Sequence, residues 1–313
     1  MILKIILISL ISLLFLFILF VVFYGIIAYF MFNKIFRRGE CKSFLDIDLS
    51  KTHYAPHIEK IRENIKKLQN IPYNDVYIEN DKLRLHGRFI DLKGNKVVIM
   101  AHGYHATPFN NFQTSALAFI DHGYSVLLID ERAHNDSEGN FSYVGLLEQY
   151  DLLEWIKWVE SETCASNIIL YGVSMGSATL GYLSNKLDDT KVRAMVMDCG
   201  FTSFYDEIFY SEKKNVFSFL SLFYLRMYAK IFLKIDIKTS TIESLKETNT
   251  PIYFIHGLLD EMVPYEHTIA NFNATKSPKK VRYVSGAGHT TGFLIDYDFL
   301  NKDLFEFLDL YLK

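Results

Sequence analysis

Cysteine is scarce in this chain: Cys41, Cys164 and Cys199 are odd in number and lack metal-type spacing. They define no disulfide framework, and free thiols fit a reducing compartment. An excess of basic charge is missing as well, with 33 Lys and Arg against 36 Asp and Glu for a formal net charge of -3. A nucleic-acid partner, which needs an electropositive face, is therefore not expected. Internal repeats and glycine-rich phosphate loops are absent, as is Cys-x-x-Cys, and no two of His102, His105, His134 and His289 stand in His-x-x-x-His spacing. Neither a metal nor any other cofactor is expected.

From Ile5 to Phe32 ("IILISLISLLFLFILFVVFYGIIAYFMF") charge is lacking altogether. A run of this length can cross a bilayer as a helix, and it outlasts the roughly 7–15 apolar residues of a signal peptide. No small-x-small cleavage site follows in "YFMFNKIFRRG". The segment reads as an uncleaved single-pass anchor, with Tyr24 and Tyr29 at the interface beside Lys34, Arg37 and Arg38. That basic flank puts the body on the cytoplasmic side of the cell membrane.

What is present after the flank changes period twice. Ile58, Ile61, Ile65 and Leu68 recur at helical spacing among charges, which predicts a linker and then an amphipathic helix. From Val76 onward, β-branched runs ("DVYIEN", "LRLHGRFI", "KVVIMAHG", "YSVLLID", "NIILYG", "VRAMVMD", "PIYFIHG", "KVRYVSG") take over. The later ones alternate with helical stretches near Asn111–His122, Gly145–Glu160, Ser174–Leu187, Tyr265–Asn271 and Tyr297–Leu312. That alternation predicts an α/β fold, a mostly parallel sheet with crossover helices. Phe204 to Thr250 is too long for a simple crossover and reads as a helical insertion. The expected organisation is therefore an anchor and basic flank over 1–38, a linker and helix over 39–75, and an α/β domain over 76–313 with its insertion at about 204–250.

The chemistry is carried by "NIILYGVSMGSATLG", in which a strand-like run meets Gly172-Val173-Ser174-Met175-Gly176 and then small helix formers. Two residues without Cβ permit a tight strand-to-helix turn that exposes a serine hydroxyl, while the helix N-terminus aims N–H groups at developing negative charge. The competing reading is a serine that merely caps the helix. A nucleophilic serine needs a base, and the base needs a carboxylate to orient it, in the chain order Ser, Asp or Glu, His. Asp260 in "PIYFIHGLLDEMVP" and His289 in "KVRYVSGAGHTTG" each follow a strand and keep that order; Asp198 is the rival acid, with Glu261 a further alternative. His102-Gly103 ends an early strand and offers the N–H of Tyr104 to pair with that of Met175 as an oxyanion hole. Cys199 reads as a small buried residue rather than a nucleophile.

With these parts in place the chain resembles the α/β-hydrolase superfamily, and within it the membrane-anchored bacterial branch described as serine aminopeptidase-like or lysophospholipase-like. The landmarks are "AHGYHATP", "LLIDERAHNDSEG", "YGVSMGSATL", "MVMDCGFTS", "FIHGLLDEMVP" and "SGAGHTTG". The resemblance implies an α/β-hydrolase fold with Ser174 as nucleophile, Asp260 as acid and His289 as base. Relatives carry glycine where Ala133 and Asn135 stand, and alanine is unfavourable in left-handed backbone, so the loop from Asp130 to Ser137 is expected to differ in shape. The expected function is a membrane-anchored serine hydrolase of acyl esters, acting on a small-molecule or lipid-like substrate. A serine peptidase and a catalytically silent binding module are the alternatives. Within the insertion, Phe217, Leu220, Tyr224, Met227 and Ile231 form an apolar stripe and Arg226, Lys230 and Lys234 a basic one, which suggests a second membrane contact at the lid.

Overall fold

In the computed structural model, residues 2–211 and 216–312 are described, the side chains at 211, 216 and 217 excepted. Eight strands form one sheet: β1 (Asn74–Asn80), β2 (Leu83–Ile90), β3 (Lys96–Ala101), β4 (Ser125–Ile129), β5 (Asn167–Val173), β6 (Val192–Asp198), β7 (Ile252–Gly257) and β8 (Lys279–Val284). Their order is β1-β2-β4-β3-β5-β6-β7-β8, and only the β1–β2 and β2–β4 pairs are antiparallel. The α-helices among the described residues are α1 (Ile2–Phe36), α2 (Ile58–Gln69), α3 (Pro108–Phe112), α4 (Ser115–Asp121), α5 (Glu148–Glu162), α6 (Met175–Leu183), α7 (Phe204–Ser211), α8 (Val216–Tyr228), α9 (Thr241–Glu247), α10 (Glu266–Ala274), α11 (Gly292–Ile295) and α12 (Tyr297–Asp309).

Alternate residues along each central strand go to opposite sides, as the pleat requires. Val98, Met100, Ile169, Tyr171, Val196 and Ile255 pack against helices α2, α3, α4, α11 and α12. Ile99, Ala101, Ile168, Leu170, Met197 and Phe254 pack against α5, α6, α9 and α10. Both faces are covered, which is why the strands read as continuous apolar runs. Helix α2 buries Ile61, Ile65 and Leu68, and each such side chain contributes about 1.5–3 kcal/mol.

A third cluster joins the end of α1 to the insertion: Phe32 and Phe36 meet Leu225, Ala229 and Leu233 above Met175 and Phe201. Helix α1 is long and apolar enough to cross a membrane, and none of its most apolar stretch is buried. Helices α1 and α8 run side by side in the same direction. The Tyr224 hydroxyl donates to the Val21 carbonyl at 3.0 Å and the Tyr228 hydroxyl to the Gly25 carbonyl at 2.7 Å. Tyr24, read from sequence as a membrane-interface residue, bonds Ser221 at 2.6 Å, and Tyr29 stacks edge-on to Tyr228.

The insertion differs from its expected amphipathic pattern. Its buried face is Leu222, Tyr224, Leu225, Ala229 and Leu233, so Tyr224 of the expected stripe is buried, whereas Ile231 is exposed and the Phe217 side chain lies outside the described residues. A π-helical turn over Ala229–Leu233 inserts an extra residue and rotates the face. Two residues of the basic stripe are paired: Arg226 makes two bonds of 2.7 Å to Asp236, and Lys230 reaches the same carboxylate at 2.8 Å, while Lys234 is exposed.

Candidate active site

The turn from β5 into α6 holds Ser174 at φ 54° and ψ -114°, a backbone conformation that costs free energy and has to be imposed by its surroundings. The glycines on either side are required by close approach. A Cβ on Gly172 would stand 2.4 Å from the Gly176 carbonyl oxygen, and one on Gly176 would stand 1.9 Å from that of Ala101. Ser174 occupies the N-cap position of α6, yet its side chain makes no capping bond. Its hydroxyl instead donates to Nε2 of His289 at 3.0 Å. The other ring nitrogen of His289, Nδ1, donates to Oδ2 of Asp260 at 2.7 Å.

Asp260 is held from several directions. Its Oδ1 accepts the N–H groups of Met262 and Val263 at 3.0 and 2.9 Å, and His256 Nε2 stands 3.3 Å from Oδ2. Burial pushes the Asp260 carboxyl up, but the bonds from His256 and His289 outweigh it and hold the group well below the usual carboxylate range. Asp198, at the end of β6, is in a different state. Burial pushes its carboxyl up to about 6, and the Tyr171 hydroxyl donates to it at 3.2 Å. Among the described residues its side chain makes no bond to His289, and its backbone carbonyl takes the N–H of Ser174 at 2.9 Å. Glu261 is exposed.

Gly103 packs against the Cβ of Ser174, and its N–H donates to Asn111 Oδ1 at 2.7 Å, which fixes the following peptide beside Ser174. Among the described residues no protein acceptor takes the N–H of Tyr104 or of Met175. The Tyr104 ring reaches the other way, and its hydroxyl donates to the Ile35 carbonyl in the last turn of α1. Cys199, Asp260 and His289 offer donor atoms within 4.8 Å of one another. The imidazole and carboxylate are already bonded to each other, however, and burial pushes the Cys199 thiol well up, so the trio is poorly suited to a cation.

Left-handed backbone collects around the cleft, at His105, Cys199 and Thr290 as well as Ser174. Ala133 and Asn135 also have φ of 61° and 44°, so the loop keeps the glycine-type conformation despite its sequence. The Ala133 N–H bond to Glu138 and the buried Arg132–Asp151 pair beside it, at 2.6 Å, enforce the turn. His102 and His134 support the same loops as fixed neutral donors and acceptors: Glu131 N–H donates to His102 Nε2, and His105 N–H to His134 Nε2. Burial pulls the His134 imidazole down to about 3.

Two contributions to the cleft are invisible at the level of motifs. The segment read as a linker is a wall of the site: His53 Nε2 donates to the His289 carbonyl at 2.9 Å, and the Tyr54 hydroxyl bonds Thr290 at 2.7 Å. The helical insertion supplies Glu207, which lines the cleft together with Phe204. Burial, with Asp260 nearby, pushes the Glu207 carboxyl up to about 7. The whole cleft is about 450 Å³, with Ser174 and His289 in its floor and Glu40, Lys42 and Asn110 at its polar side.

The family model for X-Pro dipeptidyl-peptidases (S15 family) matches residues 70–227, half of the chain, from just before β1 into α8. The chain belongs to the S15 family, within the α/β-hydrolase superfamily. It is 24% identical over 233 residues to the YqkD protein of Bacillus subtilis, covering 70% of this chain and 75% of that protein. To the YfhR protein of Escherichia coli it is 22% identical, covering 55% of this chain and about half, 56%, of the relative. The esterase Pf2001 of Pyrococcus furiosus superposes with a TM-score of 0.63 at 22% identity, over 79% of this chain and 96% of that one. Est1E of Butyrivibrio proteoclasticus, solved with ferulic acid bound, gives 0.61 at 17% identity over 75% and 99%. These likenesses show the fold, and the S15 match makes the chain a hydrolase by family.

Proposed function

We propose that this chain is a membrane-anchored serine hydrolase of acyl esters, with Ser174 as nucleophile, His289 as base and Asp260 as its orienting acid. The observation that carries the reading is the bonded series from Ser174 Oγ through His289 to Asp260, with the serine in strained backbone at a helix N-terminus. Ser174 Oγ attacks the ester carbonyl as its proton passes to His289 Nε2, and the oxyanion is taken by the N–H groups of Tyr104 and Met175. His289 then gives that proton to the departing alkoxide, which leaves as the alcohol. Water attacks the acyl-enzyme with His289 as base again, releasing the carboxylic acid and restoring Ser174. Helix α1 anchors the enzyme, and the basic flank favours a cytoplasmic body.

Fluorophosphonate labelling tests the nucleophile: wild type is expected to label and Ser174→Ala not. Equal labelling of both would remove Ser174 from the mechanism, and no labelling of either would favour a silent module. External protease applied to spheroplasts tests the topology, and digestion of the body would reverse it.

A second reading, release of residues from peptide N-termini, is supported by the S15 membership and by Glu207. A carboxylate in the cleft above the serine can pair with a substrate ammonium. Glu207→Gln distinguishes the two. For an aminopeptidase KM toward aminoacyl amides should rise at least tenfold, whereas ester turnover should change little.

A further inference from the structure

A second cavity, of about 300 Å³, adjoins the catalytic cleft on the side of α1. Its walls come from two helices that sequence alone does not connect: Ala28 and Met31 of α1, and Leu222 and Leu225 of α8. Tyr104, Phe204 and Glu207 line both spaces and so form the throat between them. We propose that this cavity takes the acyl chain of a single-chain amphiphilic ester drawn from the bilayer, its ester at Ser174 and its polar end beside Lys42 and Asn110. The proposal rests on the esterase reading and names its substrate class.

Three observations favour an acyl chain as the occupant. First, α8 lies along residues 21–32 of α1, inside the helix apolar enough to span a membrane, and with α1 as the proposed anchor the cavity lies beside lipid tails. Second, Phe219 and Phe223 on the outer side of α8 are 63% and 57% exposed beside an α1 surface that is equally bare. An apolar surface of that kind suits hydrocarbon rather than water. Third, Glu207 in the shared throat is the one charged side chain lining the cavity among the described residues, its other walls being apolar side chains with Ser218 and Ser221, whereas the cleft also carries Glu40 and Lys42. Each methylene buried adds about 0.8 kcal/mol, about fourfold in kcat/KM, until the cavity is filled.

The test uses the full chain in nanodiscs with p-nitrophenyl esters from acetate to dodecanoate. The wild type should gain about fourfold per methylene and then level off. Leu222→Trp, which fills the cavity, should lower the decanoate-to-acetate ratio of kcat/KM at least tenfold. Should that variant fail to fold, Leu225→Ala widens the space and should move the plateau to longer chains. Unchanged ratio and plateau in variants that label with fluorophosphonate as fully as wild type would overturn the proposal. A second readout needs no turnover: Ser174→Ala protein is irradiated with a decanoyl probe bearing a terminal diazirine. Adducts on α1 and α8 support the cavity even if no ester is hydrolysed, in which case the esterase reading alone fails. Hydrolysis of long esters with adducts confined to other elements would overturn the cavity and leave the esterase reading standing.

Discussion

The two sides of the cleft are held together by different means. Below Ser174, aliphatic side chains alternate across a sheet with both faces buried, and position is fixed by close packing. Above it, α1 and α8 meet through rings and tyrosine hydroxyls that donate to carbonyls already used inside a helix. Water drives the first arrangement. In hydrocarbon that drive is absent, and directional bonds and ring contacts must hold helices together. The proposed chemistry thus sits between a rigid floor and a pair of helices proposed to meet lipid.

The largest expected effect falls on the floor. Ser174→Ala or His289→Ala should lower kcat by at least about 10⁴-fold while leaving the melting temperature nearly unchanged. Asp260→Asn should cost about 10³–10⁴-fold, and Asp198→Asn less than about tenfold; the reverse order would exchange the acids. Asp260 is held below the usual carboxylate range and stays ionised as the histidine base is protonated. The acid limb of kcat/KM should therefore follow one proton, and a two-proton slope would show Asp260 titrating with it.

Next in size is Gly176→Ala. Its methyl would overlap the Ala101 carbonyl, so a loss of about 3 kcal/mol or more is expected in denaturant titration. The roof should respond more gently and separately. Tyr224→Phe and Tyr228→Phe each remove one hydroxyl bond and should cost about 0.5–1.5 kcal/mol, read as faster hydrogen exchange in α8 with the sheet unaffected. If exchange rose in the sheet as well, floor and roof would be one cooperative unit. The smallest effect is a gain. Ala133→Gly relieves a left-handed alanine and should raise stability by about 0.5–1 kcal/mol, measured by thermal melting.

The sheet and its order of loops were legible because every central strand is apolar on both sides and Ser174, Asp260 and His289 each follow a strand end. Ser174, Asp260 and His289 could be set in order from those positions alone. His53 and Glu207 could not, since each reaches the cleft across a gap in sequence that no local pattern encodes. The pairing of Arg226 with Asp236 was hidden by the π-helical turn between them, which breaks the helical spacing that made the basic stripe look free. At Ala133 propensity pointed the wrong way, because surrounding bonds impose a conformation the residue disfavours alone.

The bond from Tyr104 to the Ile35 carbonyl bears on how freely this protein can be recombined. A tether can be cut off or swapped for another, and the cargo keeps its properties. Here the residue proposed to steady the oxyanion is bolted by its ring to the last turn of α1, and Arg38 just beyond bonds the Asn135 and Ser137 carbonyls of the Asp130–Ser137 loop. A body cut free of α1, or fused to a foreign helix, loses a wall of the cavity beside its cleft and the anchor of the Tyr104 ring. The helix is inherited with the enzyme as a single part.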